Sequence, residues 1–200
     1  MKRFALASVA SASALAVLPN AALAHTFGAH DAGLVHGFLH PVGGWDHLLA
    51  MVAVGLWAAQ RGGRALWLLP TAFVGAMIGG GLLGMAGVGL PQAELGIVLS
   101  VVALGGLVAL QSRLPLLASA GVVALFAVFH GFAHGTEMPE AAEPMLYGLG
   151  FAASTALLHA AGIGAALSIR RLVEGRKGTL ALRGTGALVG LAGVALMALG

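Results

Sequence analysis

Long apolar stretches, separated by short polar or glycine-containing connectors, run through most of this chain. They fall at approximately 45–60, 65–86, 93–110, 115–135, 145–169 and 182–200. Each is near the length a tilted helix needs to cross about 30 Å of hydrocarbon. Helices are the predicted spanning form, because no barrel-like alternation is present and lipid offers no partner to free backbone groups. An earlier apolar run, Phe4 to Leu18, follows the basic Met1-Lys2-Arg3 and is broken at Pro19-Asn20. Ala22-Leu23-Ala24 then fits the small-residue cleavage pattern, so residues 1–24 read as a signal peptide cut before His25. The pattern therefore predicts an all-α membrane protein. Residues 25–200 would form one domain of six transmembrane helices behind the cleaved leader.

Composition agrees. Hydrophobic residues make up 59% of the 200 residues and charged residues 8%, with a mean hydropathy of +0.97. A soluble domain carries roughly 25% charged residues, because its surface faces water. The isoelectric point of about 10.2 rests on few, scattered charges, which argues against nucleic-acid binding. There is no P-loop for a nucleotide. The absence of cysteine removes disulfides, thiolate zinc sites and iron–sulfur clusters together.

The charges also orient the spans. Arg61 and Arg64 follow the first span and Arg113 follows the third. Arg170, Arg171, Arg176, Lys177 and Arg183 follow the fifth, whereas Glu137, Glu140 and Glu143 follow the fourth. The positive-inside rule puts the basic connectors in the cytoplasm of a bacterial inner membrane, with both mature termini in the periplasm. Glycine pairs at small-xxx-small spacing (Gly75/Gly79, Gly80/Gly84, Gly131/Gly135, Gly186/Gly190) predict close helix packing.

Histidine is the anomaly. His25, His30, His36, His40 and His47 precede or open the first span, and His130 and His134 close the fourth. All seven share the periplasmic side with Asp31, Asp46 and Glu137. Ionisable groups at membrane depth are costly, which makes them functional candidates. In His40-Pro-Val-Gly-Gly-Trp-Asp46-His47, Pro41, Gly43 and Gly44 predict an irregular bend that returns His40 over Asp46 and His47. Asp46 also suits a helix cap. In Phe129-His130-Gly131-Phe132-Ala133-His134-Gly135-Thr136-Glu137, the i, i+4 histidines and Glu137 share one helical face. Two imidazoles at that spacing can chelate a metal, and a carboxylate can complete the site.

The remaining candidates are more open. His159, midway along the fifth span, reads equally as a satisfied buried group or as a second station on a transport path. Replacing it by alanine is expected to leave measurable uptake. Glu94 reads as a cap, and the histidines of the mature terminus as metal capture or a plain tail. Imidazole with carboxylate suits nickel, cobalt, zinc and copper(II) rather than magnesium or calcium. The seven methionines form no obvious cluster near the histidines, which argues against copper(I).

The patterns His40-x5-Asp46-His47 and Phe129-His130-Gly131-Phe132-Ala133-His134-Gly135-Thr136-Glu137 resemble the HupE/UreJ family of bacterial nickel permeases. The resemblance covers essentially the whole mature chain. It implies a small secondary permease of nickel, or of cobalt, in which His40, Asp46, His47, His130, His134 and Glu137 handle the metal. On this reading the partners are the transported ion and membrane lipid, with no permanent cofactor, and a homo-oligomer remains open. Two other classes stay in play. One is an intramembrane hydrolase with zinc on His130, His134 and Asp46 and with Glu137 or His47 as base. The other is a bis-histidine haem protein using His130 and His159.

Overall fold

A computed structural model describes residues 32–140 and 142–199. The predicted leader, its cleavage point, and His25, His30 and Asp31 lie outside the described residues. Among the described residues the chain is all-helical. The elements are α1 (Ala32–Gly43), α2 (Trp45–Arg61), α3 (Ala65–Met85), α4 (Ala93–Ala109), α5 (Leu116–Thr136), α6 (Pro144–Leu172) and α7 (Gly175–Leu199). A helix occupies each of the six apolar stretches, the largest boundary difference being at the start of α7. By length and composition, α3, α5, α6 and α7 are able to cross a membrane, and the bent pair α1–α2 makes a fifth candidate. With 17 residues, α4 rises only about 25 Å.

α1 departs from expectation. Pro41 lies inside a regular helix, and the break falls at Gly44, which is extended (φ −109°, ψ 126°). There the axes of α1 and α2 diverge by 83°. A proline within a helix forfeits one backbone bond. Close packing on α6 supports α1 against that loss: a Cβ on Gly37 would strike the Tyr147 carbonyl, and one on Gly150 the Leu34 carbonyl.

α2 is the central post. It packs against α6, α4 and α3, and Ala50, Met51, Ala53, Val54, Leu56, Trp57 and Ala58 are all fully or almost fully buried. α3 and α5 form the closest pair. Gly80 and Gly84 on α3 and Gly131 and Gly135 on α5 each face the partner's backbone, so any side chain there would collide with a main-chain atom. Gly75 and Gly79 instead face open space, and the packing expected of them is not found. Gly186 of α7 fits closely against α4 at Val108 and Ala109.

The outside of this bundle is oily and its inside carries polar groups. Leu117, Leu125, Leu188 and Leu191 are more than half exposed, whereas His130, Ser100, Thr155 and His159 are buried. That inversion suits lipid, where outward leucine costs nothing and polar side chains must find partners within the protein. The chain is a multi-pass membrane protein.

Candidate metal centre

Three helix ends meet at one end of the bundle: the last turn of α1, the first turn of α2 and the last turn of α5. α1 supplies His40, α2 supplies Asp46 and His47, and α5 supplies His130, His134 and, as its C-cap, Glu137. The helix C-termini of α1 and α5 carry partial negative charge, which favours a cation beside them. Glu137 adds a full charge at one of these ends.

His134 is the hub. Its ring centroid lies 4.5 Å from that of His40, 4.3 Å from His47 and 4.0 Å from Phe151. His47 also meets His130 at 4.7 Å. His40, His134 and Glu137 each offer a ligand atom, and these atoms lie within 4.8 Å of one another. His40 Nε2 donates to Glu137 Oε2 at 3.2 Å. Across the bend at Gly44, His40 and His47 thus both reach the His134 ring.

Hydrogen bonds set which nitrogen each inner ring presents. Asp46 Oδ1 accepts from His47 Nδ1 at 2.6 Å and from the His47 amide at 2.7 Å. A carboxylate has no proton to give, so Nδ1 carries the hydrogen and Nε2 holds the lone pair. That Nε2 is buried and has no partner. A Cβ at Gly44 would sit 2.7 Å from Asp46 Oδ1 and 3.1 Å from His47 Nδ1, so a side chain there would push against this pair. Asp46 thus orients the imidazole beyond its place in the first turn of α2.

The same accounting applies to His130. Ser100 of α4 donates its hydroxyl hydrogen to the Ile97 carbonyl at 2.6 Å and accepts from His130 Nε2 at 2.9 Å. His130 Nδ1 is left as an unpartnered lone pair in a fully buried ring. Both nitrogens of buried His134 also lack partners. Buried polar atoms in native proteins are overwhelmingly paired, so unpartnered nitrogens on three adjoining rings make this a candidate ligand site. Neutral imidazole nitrogens with one or two carboxylates form a donor set for a borderline divalent transition metal.

A cavity of about 330 Å³ opens beside His134 between α3, α5 and α6. Met77, Met85, Met138 and Met145 line it with Tyr147, so four of the seven methionines share one cavity with His134. This corrects the expectation of no methionine cluster. The residues come from two separate helices, α3 and α6, and the loop between α5 and α6, and nothing in their spacing announces it. Tyr147, the sole tyrosine, buries an unpartnered hydroxyl with its ring 6.0 Å from His40. Sequence reasoning also passed over Ser100, whose one available signal was a lone hydroxyl within an apolar span.

Other candidates lie apart. His36 is half-buried on α1, one turn before His40. Glu94 is exposed in the first turn of α4 and makes no side-chain cap; the N-cap there is Gln92, in the left-handed region at φ 61°. Glu143 does cap α6, accepting from the amides of Met145 and Leu146. His159 is buried on α6 against Phe73, away from the rim.

Comparison with known proteins agrees with the motifs. Residues 13–196 match the family described as HupE / UreJ protein. The chain is 47% identical over 180 residues to Protein HupE of Rhizobium leguminosarum bv. viciae, covering 90% of this chain and 92% of that one. No solved structure matches.

Proposed function

The chain belongs to the HupE/UreJ family, and from that membership and the converging imidazoles we propose an inner-membrane secondary permease importing a divalent transition-metal cation. Nickel is the first expected substrate and cobalt the next. The observation that carries this reading is the meeting of His40, His134 and Glu137 within 4.8 Å above rings whose buried nitrogens have no partner. In it, His40, Asp46, His47, His130, His134 and Glu137 are the metal-handling residues.

The roles follow from position. Glu137 and His40, both partly exposed, meet the hydrated ion at the rim. His134 replaces water, and His47 and His130 offer the next lone pairs inward. Asp46 and Ser100 keep those lone pairs aimed by holding the opposite nitrogens. Transport demands a site strong enough to capture and exchangeable enough to release, which imidazole and carboxylate provide. Such a cargo site needs no reaction, so the protein acts as a transporter and not as an enzyme.

The membrane placement belongs to the same proposal. α2 to α7 would be the six spans, with α1 lying across the periplasmic end as a bent lead-in to α2. The arginine-bearing connectors would face the cytoplasm and both mature termini the periplasm. The test is uptake of radiolabelled nickel and cobalt by cells with and without the protein, with zinc as competitor. Uptake of nickel above background is expected. Equal accumulation in both strains would refute the reading. A reporter fused after Gly200 and active only in the cytoplasm would refute the orientation.

A further inference from the structure

His159 sits halfway along α6, 1% exposed, and neither ring nitrogen has a hydrogen-bond partner. The reading of this residue as a satisfied buried group is therefore not met. A buried polar group without a partner is a net cost to folding, and an apolar side chain of similar volume would remove that cost. Something other than stability has to account for an imidazole here.

Its surroundings come from two facing helix surfaces. α3 presents Phe73 and Met77, one turn apart, and α6 presents Thr155 and His159, one turn apart. The Phe73 ring meets His159 edge-on at 5.0 Å and His130 at 5.6 Å, so one phenyl group touches both imidazoles. Thr155 Oγ1 donates to Met77 Sδ at 3.6 Å, and Met77 also lines the cavity beside His134. One line of contact thus runs from the candidate centre to His159 through Phe73, and the bonded pair of Met77 and Thr155 stands one helical turn from Phe73 and His159 respectively.

From this geometry we infer that His159 is a second, inner binding station for the same divalent cation, with the Thr155 hydroxyl and Met77 thioether as its neighbouring donors. The inference rests on the permease reading. The two stations differ in charge: the carboxylates Asp46 and Glu137 pair with His47 and His40 in the outer cluster, whereas the inner donors are all neutral. A neutral imidazole, hydroxyl and thioether hold a borderline divalent metal less tightly than a set that includes carboxylate. A weaker site beyond a stronger one suits release toward the far side, since conduction requires the ion to leave as well as enter.

The test compares His159→Leu with the unaltered protein in nickel uptake by cells, nickel binding by calorimetry, and thermal unfolding in detergent. Leucine fills the space without orphaned nitrogens, so the variant is expected to unfold at the same temperature or higher. Tight binding at the outer cluster should persist, while uptake falls by roughly tenfold or more. Uptake equal to that of the unaltered protein would overturn the inner station and leave the permease reading standing. Nickel and cobalt uptake missing from the unaltered protein would overturn both. Should the leucine variant not reach the membrane, His159→Gln supplies the measurement: reduced uptake with normal protein level is expected, and undiminished uptake overturns the inference.

Discussion

The two ends of the bundle treat their polar groups by opposite rules. At the arginine end the donors have found carbonyls. Trp57 Nε1 donates to Ser112, Gln60 Nε2 to Val108, Arg170 to Ala59, and Arg183 Nε to Ala109 at 2.7 Å. The carbonyls of Ala59, Val108 and Ala109 lie in the last turns of α2 and α4, and that of Ser112 in the connector beyond α4, where cationic side chains both cap free groups and suit the helix dipole. The exceptions are Gln60 Oε1 and Arg61 Nε. At the histidine end the count reverses: His47, His130 and His134 each keep at least one buried nitrogen without a partner. Paired groups hold helices together. Unpaired ones, on neighbouring rings, are the candidate ligands of the proposed metal site.

The sharpest way to break this contrast is to remove unpaired rings. His47→Ala and His130→Ala are each expected to cut nickel uptake by about 100-fold at normal protein level. The double variant should be little worse than either, because ligands sharing one ion are not additive. Calorimetry showing nickel bound as tightly by His47→Ala as by the unaltered protein would end the shared-site account.

Orientation comes next in size. Asp46→Asn keeps the shape of the side chain but frees the His47 tautomer, and a loss of about 10- to 100-fold in nickel affinity is expected. Ser100→Ala removes the acceptor for His130 Nε2, with about tenfold weaker binding as the outcome. Unchanged affinity in both variants would mean that the second bonds do not set the rings.

Protons should compete for the same lone pairs. Imidazole ordinarily protonates near pH 6.5 and burial lowers the pKa of His40, so binding to purified protein should weaken only as the pH falls well below that ordinary value. The sign is loss on acidification, since the protonated ring has no lone pair to give. Binding that strengthens as pH falls would point to ligands other than histidine.

The smallest effect belongs to the other end. Arg183→Gln should lower the unfolding temperature by a few degrees, through about 1 kcal/mol from one charge-assisted bond to the Ala109 carbonyl. Nickel binding should not change. If binding falls as far as it does in Ser100→Ala, the two ends are coupled and the contrast between them is too simple.

Much of this was legible from residues close together in the chain. Hydropathy located a helix in each of the six apolar stretches, because an apolar run in lipid has helix as its backbone solution. The i, i+4 spacing put His130 and His134 on one face of α5, since helix geometry alone decides that. Asp46 and His47 are adjacent, and their pairing needed only a short reach.

What the chain alone could not decide depended on which helix lies beside which. Pro41 predicts a break, and only the packing of α1 along α6 keeps it within a helix and moves the bend to Gly44. The flanking of His134 by His40 and His47, the bond from Ser100 to His130, and the gathering of four methionines join residues far apart in sequence. So does the contact of Phe73 with both His130 and His159. Local spacing fixes the face of a helix on which a side chain stands. The partner across that face follows from backbones brought together at glycines such as Gly80 and Gly131, and hence from the whole bundle at once.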